Sequence, residues 1–162
     1  MEHQDYLNLV AELAVAFAGF TGIVAAFRFR GTSLNAAEMG NFSTMLRASI
    51  SALFLSLLPY LLHQFINNSD VAWRGAAAAV FIVMAINISR SIKTGSVNYT
   101  PIGRYVLFPM GVLAALLNLL AVFDLLKASD MVILAISFQL IISAYNFATL
   151  IIQAPLTQHD AN

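Results

Sequence analysis

The chain contains no cysteine, which excludes disulfides, cysteine-ligated zinc, iron–sulfur clusters and thiol nucleophiles. Charge is also scarce, because charged residues make up 10% of the chain, whereas a soluble domain carries about 25%. The 8 basic and 8 acidic residues balance, so net charge gives no indication of a nucleic-acid partner. Motifs such as His-Glu-x-x-His, Gly-x-Ser-x-Gly and the glycine-rich phosphate loop are missing, and we expect no enzymatic activity.

Apolar residues make up 60% of the chain and concentrate in five segments. Each segment is close to the roughly 20 residues that cross a bilayer as an α-helix. We therefore predict an all-α, polytopic transmembrane bundle that occupies residues 1–162 as one domain in the lipid bilayer. The N-terminus lacks the basic region of a signal peptide, so the first segment is expected to remain in the mature protein. The five predicted spans are Tyr6–Phe27, Ala48–Ile66, Val71–Ile88, Tyr105–Leu126 and Met131–Ile152.

Basic residues mark alternate connections between these segments. Only Arg74 and Lys127 lie near the second and fourth connections. The positive-inside rule then predicts that the N-terminus lies outside and the C-terminus in the cytoplasm. The six basic residues on the cytoplasmic side form a cytoplasmic basic rim, which sets topology and contacts anionic lipid headgroups, or alternatively lines an anion vestibule. These six residues are Arg28, Arg30, Arg47, Arg90, Lys93 and Arg104.

Local signals predict where several helices begin, bend and end. Residues 33–38 indicate an early start for helix two, which Gly40 and Asn41 could interrupt. Asp70 is predicted to cap helix three, and Pro109 to kink helix four near its cytoplasmic end. The connection at residues 127–130 is so short that helices four and five should form an antiparallel hairpin.

Helix five carries the best-organised polar pattern. Its polar residues are spaced by four, three, three and four positions, which places them on one helical face. This polar stripe predicts either a hydrated pathway lined by amides and hydroxyls or hydrogen bonds between membrane helices. The stripe consists of Gln139, Ser143, Asn146, Thr149 and Gln153.

Helices two and four carry narrower faces of the same kind. In helix two, Ser56 and His63 continue a sevenfold spacing that begins at Ser49. In helix four, Asn118 and Asp124 lie on a stripe of otherwise small residues. Such stripes could enclose a polar core, or they could bring helix backbones close together.

A small residue occupies every fourth position along helix one, at Ala14, Ala18, Gly22 and Ala26. This spacing allows another helix to approach closely, either from the same chain or from a second copy. The alanine-rich run at residues 75–79 of helix three is also predicted to lie inside the bundle or at a subunit contact.

Glu12 is the most costly residue for the membrane, because it lies in the apolar part of helix one. One interpretation is an outer vestibule in which Glu12 titrates together with His63 and Asp124. The alternative is an ion pair with Arg74 or Lys127 that fixes the helix register. Zinc accepts such ligands, but no spacing motif supports a metal site, and we expect neither a metal nor another cofactor.

The segment AELAVAFAGFTGIV at residues 11–24, followed by Arg28 and Arg30, resembles the opening of a loose group of small bacterial inner-membrane proteins. In that group a Glu precedes an Ala-Gly-Phe-x-Gly-Ile/Val run, and the second helix ends in Leu-Leu-Pro, as residues 57–59 do here. The resemblance covers the first two helices and implies a multi-pass protein of the bacterial inner membrane. The group has no assigned activity, so the resemblance implies no mechanism.

Two functions fit these patterns. The first is a small homo-oligomeric channel or pore that passes ions or small solutes, in which Glu12 and the polar faces line the pathway. The second is a non-catalytic accessory or scaffold subunit of a larger membrane complex. In that case the small and polar faces are contacts for other membrane subunits.

Overall fold

The computed structural model describes residues 3–28, 36–94 and 101–153, although the side chains of residues 25–28, 36–38, 94 and 152–153 lie outside that description. All secondary structure in these ranges is helical. A π-helix at Gly103–Leu107 precedes the fourth α-helix. The α-helices are α1 (Gln4–Arg28), α2 (Ala36–Ile66), α3 (Ser69–Thr94), α4 (Phe108–Val122) and α5 (Ala128–Gln153).

Five helical segments within the described residues are long and apolar enough to cross a membrane. They overlap the five predicted segments, with the largest difference at the start of the second helix, and the all-α prediction with five membrane-length helices is confirmed. The orientation of the helices relative to the two sides of the membrane stays a prediction. Large apolar side chains such as Phe54, Phe65 and Leu125 are exposed on the outside of the bundle, as expected of a surface in contact with lipid.

Three predictions about individual helices differ from the structure, concerning the interior of α2, the cap of α3 and the end of α4. Gly40 and Asn41 do not interrupt α2, which runs continuously from Ala36. Asn68, and not Asp70, caps α3, because its Oδ1 accepts hydrogen bonds from the backbone N–H groups of Asp70 (3.0 Å) and Val71 (3.2 Å).

The C-terminus of α4 also lies earlier than predicted, at Val122 instead of Leu126. Asp124 adopts a left-handed conformation with φ of 66° and reverses the chain. The N–H of Leu125 donates to the carbonyl of Leu120, and the N–H of Asp124 to that of Ala121, both at 3.2 Å. This is a Schellman motif, and it connects α4 to α5 in the short hairpin that the sequence predicts.

Pro109 has a local effect other than a simple kink. A π-helix lies immediately before it, and the N–H of Phe108 donates to the carbonyl of Gly103. Proline has no N–H to donate and its ring collides with the carbonyl one turn earlier, so an ordinary α-helical turn is unfavourable here. The wider π-turn accommodates the proline.

Helices α2, α3 and α5 contact one another at the centre of the bundle. Helix α1 packs against α2 and α5, whereas α4 packs against α3 and α5. Many core positions are alanines, among them Ala52, Ala76, Ala77, Ala114 and Ala135. Small side chains allow the helix backbones to approach closely. The burial of Ala76 and Ala77 confirms that the alanine-rich run of α3 lies inside the bundle.

Candidate functional site

A cavity of about 130 Å³ opens between α2, α3, α5 and the segment formed by the π-helix and α4. It lies at the end of the bundle that carries Arg47, Arg90 and Arg104, which we call the basic end. Its polar lining comes from α2, α3 and α5, and its apolar lining includes Phe108 and Phe138. The polar lining residues are Asn41, Thr44, Arg47, Asn87, Ser91, Gln139, Tyr145 and Asn146.

The cavity extends from the basic end to about halfway along the bundle. At 1.5 Å per residue, Arg47 lies roughly 28 Å along α2 from Ile66, a length close to the thickness of a hydrocarbon core. Arg90 lies at a similar distance, roughly 31 Å along α3 from Ser69. Gln139 lies only about 16 Å along α5 from Ala128. The cavity therefore opens at the basic end and reaches the middle of the bundle.

Several side-chain amides are buried around this cavity. Asn41, Gln139 and Asn146 are 6%, 4% and 7% exposed, respectively. The Nδ2 of Asn146 donates to the carbonyl of Ile142 in its own helix at 2.7 Å. The Nδ2 of Asn41 is buried and has no hydrogen-bond partner among the described residues. A buried donor without a partner is costly, so Asn41 offers an unused donor beside the cavity.

Arg47 is the cationic group of the cavity lining. Its Nε donates to the carbonyl of Ser43 one turn earlier, at 3.2 Å. Arg47 also lines a shallow groove between α2 and α3, together with Arg90, Ser51 and Asn87. The groove and the cavity therefore meet at Arg47.

The π-helix forms one wall of the cavity. Its first and last residues, Gly103 and Leu107, both line the cavity. One turn into α4, Gly111 lies against Phe138, and a Cβ at Gly111 would approach the Phe138 ring to 3.3 Å. Single π-helical turns occur often at functional sites, and this one shapes the cavity wall.

The polar stripe of α5 divides between the cavity and the helix contacts. Gln139 and Asn146 line the cavity. Ser143 is fully buried, forms a 2.6 Å hydrogen bond with the hydroxyl of Ser49 and donates to the carbonyl of Met45 at 3.4 Å. Thr149 donates to the carbonyl of Asn146 at 2.8 Å, and the Gln153 side chain lies outside the described residues. Cavity lining and interhelical bonding thus both occur on this stripe.

Ser56 and Asn118 are buried among packed helices, away from the cavity. Ser56 is buried and donates to the carbonyl of Leu53 at 2.8 Å. Asn118 donates to the carbonyls of Ala114 (2.9 Å) and Met131 (3.1 Å), which ties α4 to α5. Both side chains serve helix packing in this structure, and neither lines the cavity.

The three proposed vestibule residues do not form a cluster. Glu12 is exposed on the outward side of α1, and it has no hydrogen-bond or ion-pair partner within the described chain. The Nδ1 of His63 is buried without a partner, while Asp124 lies 3.7 Å from Arg74. The described residues contain no group of three or more His, Cys, Asp or Glu side chains that could hold a metal.

The alternative ion pairs of Glu12 are also absent from the described residues, because their cations have other partners. Arg74 pairs with Asp124 and also donates to the carbonyl of Val122 from Nε at 3.1 Å and Nη2 at 2.9 Å. Lys127 lies 3.8 Å from Asp130. In the described part of the chain these two cations thus lie near carboxylates of the neighbouring helix ends, and neither is paired with Glu12.

The small residues of α1 do not share one packing face. Ala14 is fully buried, Ala18 is half-buried and Gly22 is exposed, with no atom within 4 Å of a Cβ added there. Fourfold spacing advances by about 40° per step around a helix of 3.6 residues per turn, which explains this rotation. The Ala26 side chain lies outside the described residues.

The cytoplasmic basic rim is heterogeneous. Arg47 and Arg90 line the groove, Lys93 is exposed, and the exposed Arg104 guanidinium lies 5.4 Å from the Tyr105 ring centre. The Arg28 side chain and the whole of Arg30 lie outside the described residues.

Four polar residues of the cavity lining were not predicted from the sequence, namely Asn41, Thr44, Asn87 and Ser91. Asn41, Thr44 and Arg47 recur every third position, and Asn87 and Ser91 are four apart, so each set lies on one helical side. That spacing was an available signal for a polar site shared by α2 and α3.

Comparison with protein-family models, with curated proteins and with solved structures finds no match to this chain.

Proposed function

We propose that this protein passes an ion or small polar solute across the membrane, with the cavity as the vestibule at the basic end. The observation that carries this proposal is a cavity that opens at the basic end, lined by buried amides, hydroxyls and Arg47, inside a bundle of five apolar helices. Polar side chains in such a bundle are costly unless bonded or hydrated, and a cavity hydrates them. The resemblance of α1 and α2 favours the bacterial inner membrane as the location.

Passage requires the other half of the bundle to open. The contacts there combine alanines such as Ala76 and Ala135 with larger buried side chains such as Trp73, Val132 and Ile136. A second copy could provide the remaining lining, which is why we keep a homo-oligomer within this proposal.

Flux through purified proteoliposomes tests the proposal. Gln139→Leu and Asn146→Leu remove amides from the cavity lining, and Gly111→Leu places bulk beside Phe138. We expect each change to lower flux of the permeant species by about tenfold or more, because each removes hydration or volume from the vestibule. The melting temperature of each variant reports whether the bundle still folds.

Gly22→Leu is the matched control for Gly111→Leu, because it makes the same substitution where a Cβ meets nothing within 4 Å. We expect Gly22→Leu to leave both folding and flux unchanged, because the added side chain has space within its own chain. Unchanged flux in folded Gln139→Leu and Asn146→Leu variants would remove the cavity from the pathway.

The outward position of Glu12 favours a second candidate function, an accessory or scaffold subunit. A charged side chain near the centre of a membrane helix costs about 2.5–3.5 kcal/mol, and contact with another chain would reduce that cost. Native mass spectrometry after mild extraction distinguishes the two functions. A stoichiometric foreign chain, lost in a Glu12→Leu variant, supports the accessory role, whereas a discrete homo-oligomer or a monomer argues against it.

A further inference from the structure

The charged side chains that line the cavity and its adjoining groove are all positive. Arg47 contributes to both, Arg90 contributes to the groove, and neither described lining contains a carboxylate. The remaining polar groups are amides and hydroxyls, which can donate hydrogen bonds. A negatively charged ligand is therefore the one that this lining complements, and a cation is disfavoured.

Resting on the proposed function, we propose that the cavity binds a small inorganic anion, of the size of chloride or nitrate, between Arg47 and Asn41. The Nε of Arg47 is bonded to Ser43, and no hydrogen bond from its two Nη groups to the described chain is found. Those groups supply charged donors, and the buried Nδ2 of Asn41 supplies a neutral donor with no partner in the part of the chain that the structure describes. An anion satisfies both sets of donors at once.

The proximity of Arg47 and Arg90 supports the same site. Both residues line the same groove, so two positively charged side chains lie on one wall of it. An anion is attracted to such a wall. Because Arg47 lies at the junction of the groove and the cavity, the bound anion would occupy the entrance of the cavity.

Cavity volume sets the size of the ligand. A water molecule occupies about 30 Å³ of liquid volume, so a cavity of about 130 Å³ accommodates a small anion with a few waters. A phospholipid headgroup could present the same anionic chemistry to Arg47 from the groove. The experiment must therefore separate a dissolved anion from an anionic lipid.

The test measures anion binding to the full-length protein in nanodiscs of phosphatidylcholine, which has no net charge. Calorimetric titration with sodium nitrate and sodium chloride is compared with sodium gluconate at the same ionic strength. We expect saturable binding of nitrate and chloride and none of gluconate. Arg47→Gln should weaken nitrate binding by about tenfold or more, since it removes charge-assisted hydrogen bonds.

Three further variants sharpen the result. Arg47→Lys keeps the charge and should retain part of the affinity, whereas Asn41→Ala should weaken binding severalfold by removing the buried donor. Arg104→Gln removes an exposed cation at the same end of the bundle, outside the cavity and the groove, and should leave nitrate affinity unchanged. If Arg47→Gln does not fold, Arg47→Lys and Asn41→Ala still decide the question.

The proposal is overturned if Arg104→Gln weakens binding as much as Arg47→Gln, or if gluconate binds as nitrate does. The proposal is also overturned if the protein is stabilised against unfolding only in nanodiscs that contain phosphatidylglycerol and binds neither nitrate nor chloride. That result assigns the site to a lipid headgroup. Nitrate binding through Arg47 without any flux in proteoliposomes retains the anion site and rejects permeation. Potassium flux without anion binding or anion flux rejects the anion site and retains permeation.

Discussion

Polar residues inside this bundle have two different structural roles, and the pair Ser49–Ser143 illustrates the first. Their hydroxyls form a 2.6 Å hydrogen bond between α2 and α5 in a fully buried position. Asn41 illustrates the second role, because its buried Nδ2 has no partner and lies beside a cavity. Interhelical bonds hold the bundle together, and unpartnered donors mark where a ligand or water can bind.

The serine pair yields a stability prediction. We expect Ser143→Ala to lower the free energy of unfolding by about 0.6–2 kcal/mol, because it breaks a hydrogen bond between membrane helices. Ser49→Ala should cost less, because Ser143 keeps its bond to the carbonyl of Met45, and the double variant should cost no more than Ser143→Ala alone. Thermal unfolding in detergent measures all three variants.

Thr149→Val is the control for this cycle. The Thr149 hydroxyl donates only to the carbonyl of Asn146 in its own helix, so its loss should be close to neutral. Additive costs of Ser49→Ala and Ser143→Ala would contradict a direct bond between the two hydroxyls.

The sequence identified the face of α5 that carries polar residues, but not which of them bond to another helix. Periodicity places Gln139, Ser143 and Asn146 together without naming the partner of each. Ser143 bonds to Ser49, which is 94 positions away, and only the packing of α2 on α5 determines that contact.

Turn chemistry decides how the individual helices begin and end. Asp124 ends α4 in a left-handed conformation, and its carboxylate also lies 3.7 Å from Arg74. One residue thus has both a backbone role and an electrostatic role. The early end of α4 could not be predicted from hydropathy, because Phe123, Leu125 and Leu126 continue the apolar run.

Two substitutions at Asp124 separate these roles. Asp124→Gly removes the carboxylate and keeps the left-handed conformation accessible, whereas Asp124→Ala loses both. We expect the glycine variant to be more stable than the alanine variant by about 1 kcal/mol, measured by thermal unfolding.

Asp130→Ala is the matched control, because it removes an acidic residue from the helical part of the same hairpin. Asp130 lies in a helix, where no left-handed conformation is required and glycine is less favourable than alanine. Asp130→Gly is therefore expected to be less stable than Asp130→Ala. An alanine variant at Asp124 as stable as the glycine variant would argue against the Schellman motif.

At the scale of the whole molecule, the distribution of basic residues predicts orientation in the membrane. The connection at Asn67 should lie outside and the connection that ends near Ile102 in the cytoplasm. The absence of native cysteine makes this directly measurable. We expect Asn67→Cys to react with a membrane-impermeant maleimide on intact cells, and Ile102→Cys only after permeabilisation.

The opposite pattern of labelling would invert the topology and place the cavity entrance outside. Labelling of both positions on intact cells would contradict a membrane crossing by α3, the helix that lies between them.

Hydropathy was sufficient to locate all five spans, because length and composition decide whether a helix can cross a bilayer. It was not sufficient to orient α1 about its own axis. Apolar residues surround that helix, so its sequence does not show that Glu12 is directed outwards while Ala14 is buried. The contacts of α1 with α2 and α5 set that rotation.

The outward position of Glu12 has a chemical consequence. Glu12 carries an exposed carboxyl group within the apolar segment of α1, and carbodiimides react with carboxyl groups. Dicyclohexylcarbodiimide dissolves in the bilayer and reaches Glu12 from the lipid side, whereas a water-soluble carbodiimide does not. In native membranes, reaction at Glu12 therefore reports whether this face of α1 is open to lipid or covered by a neighbouring chain.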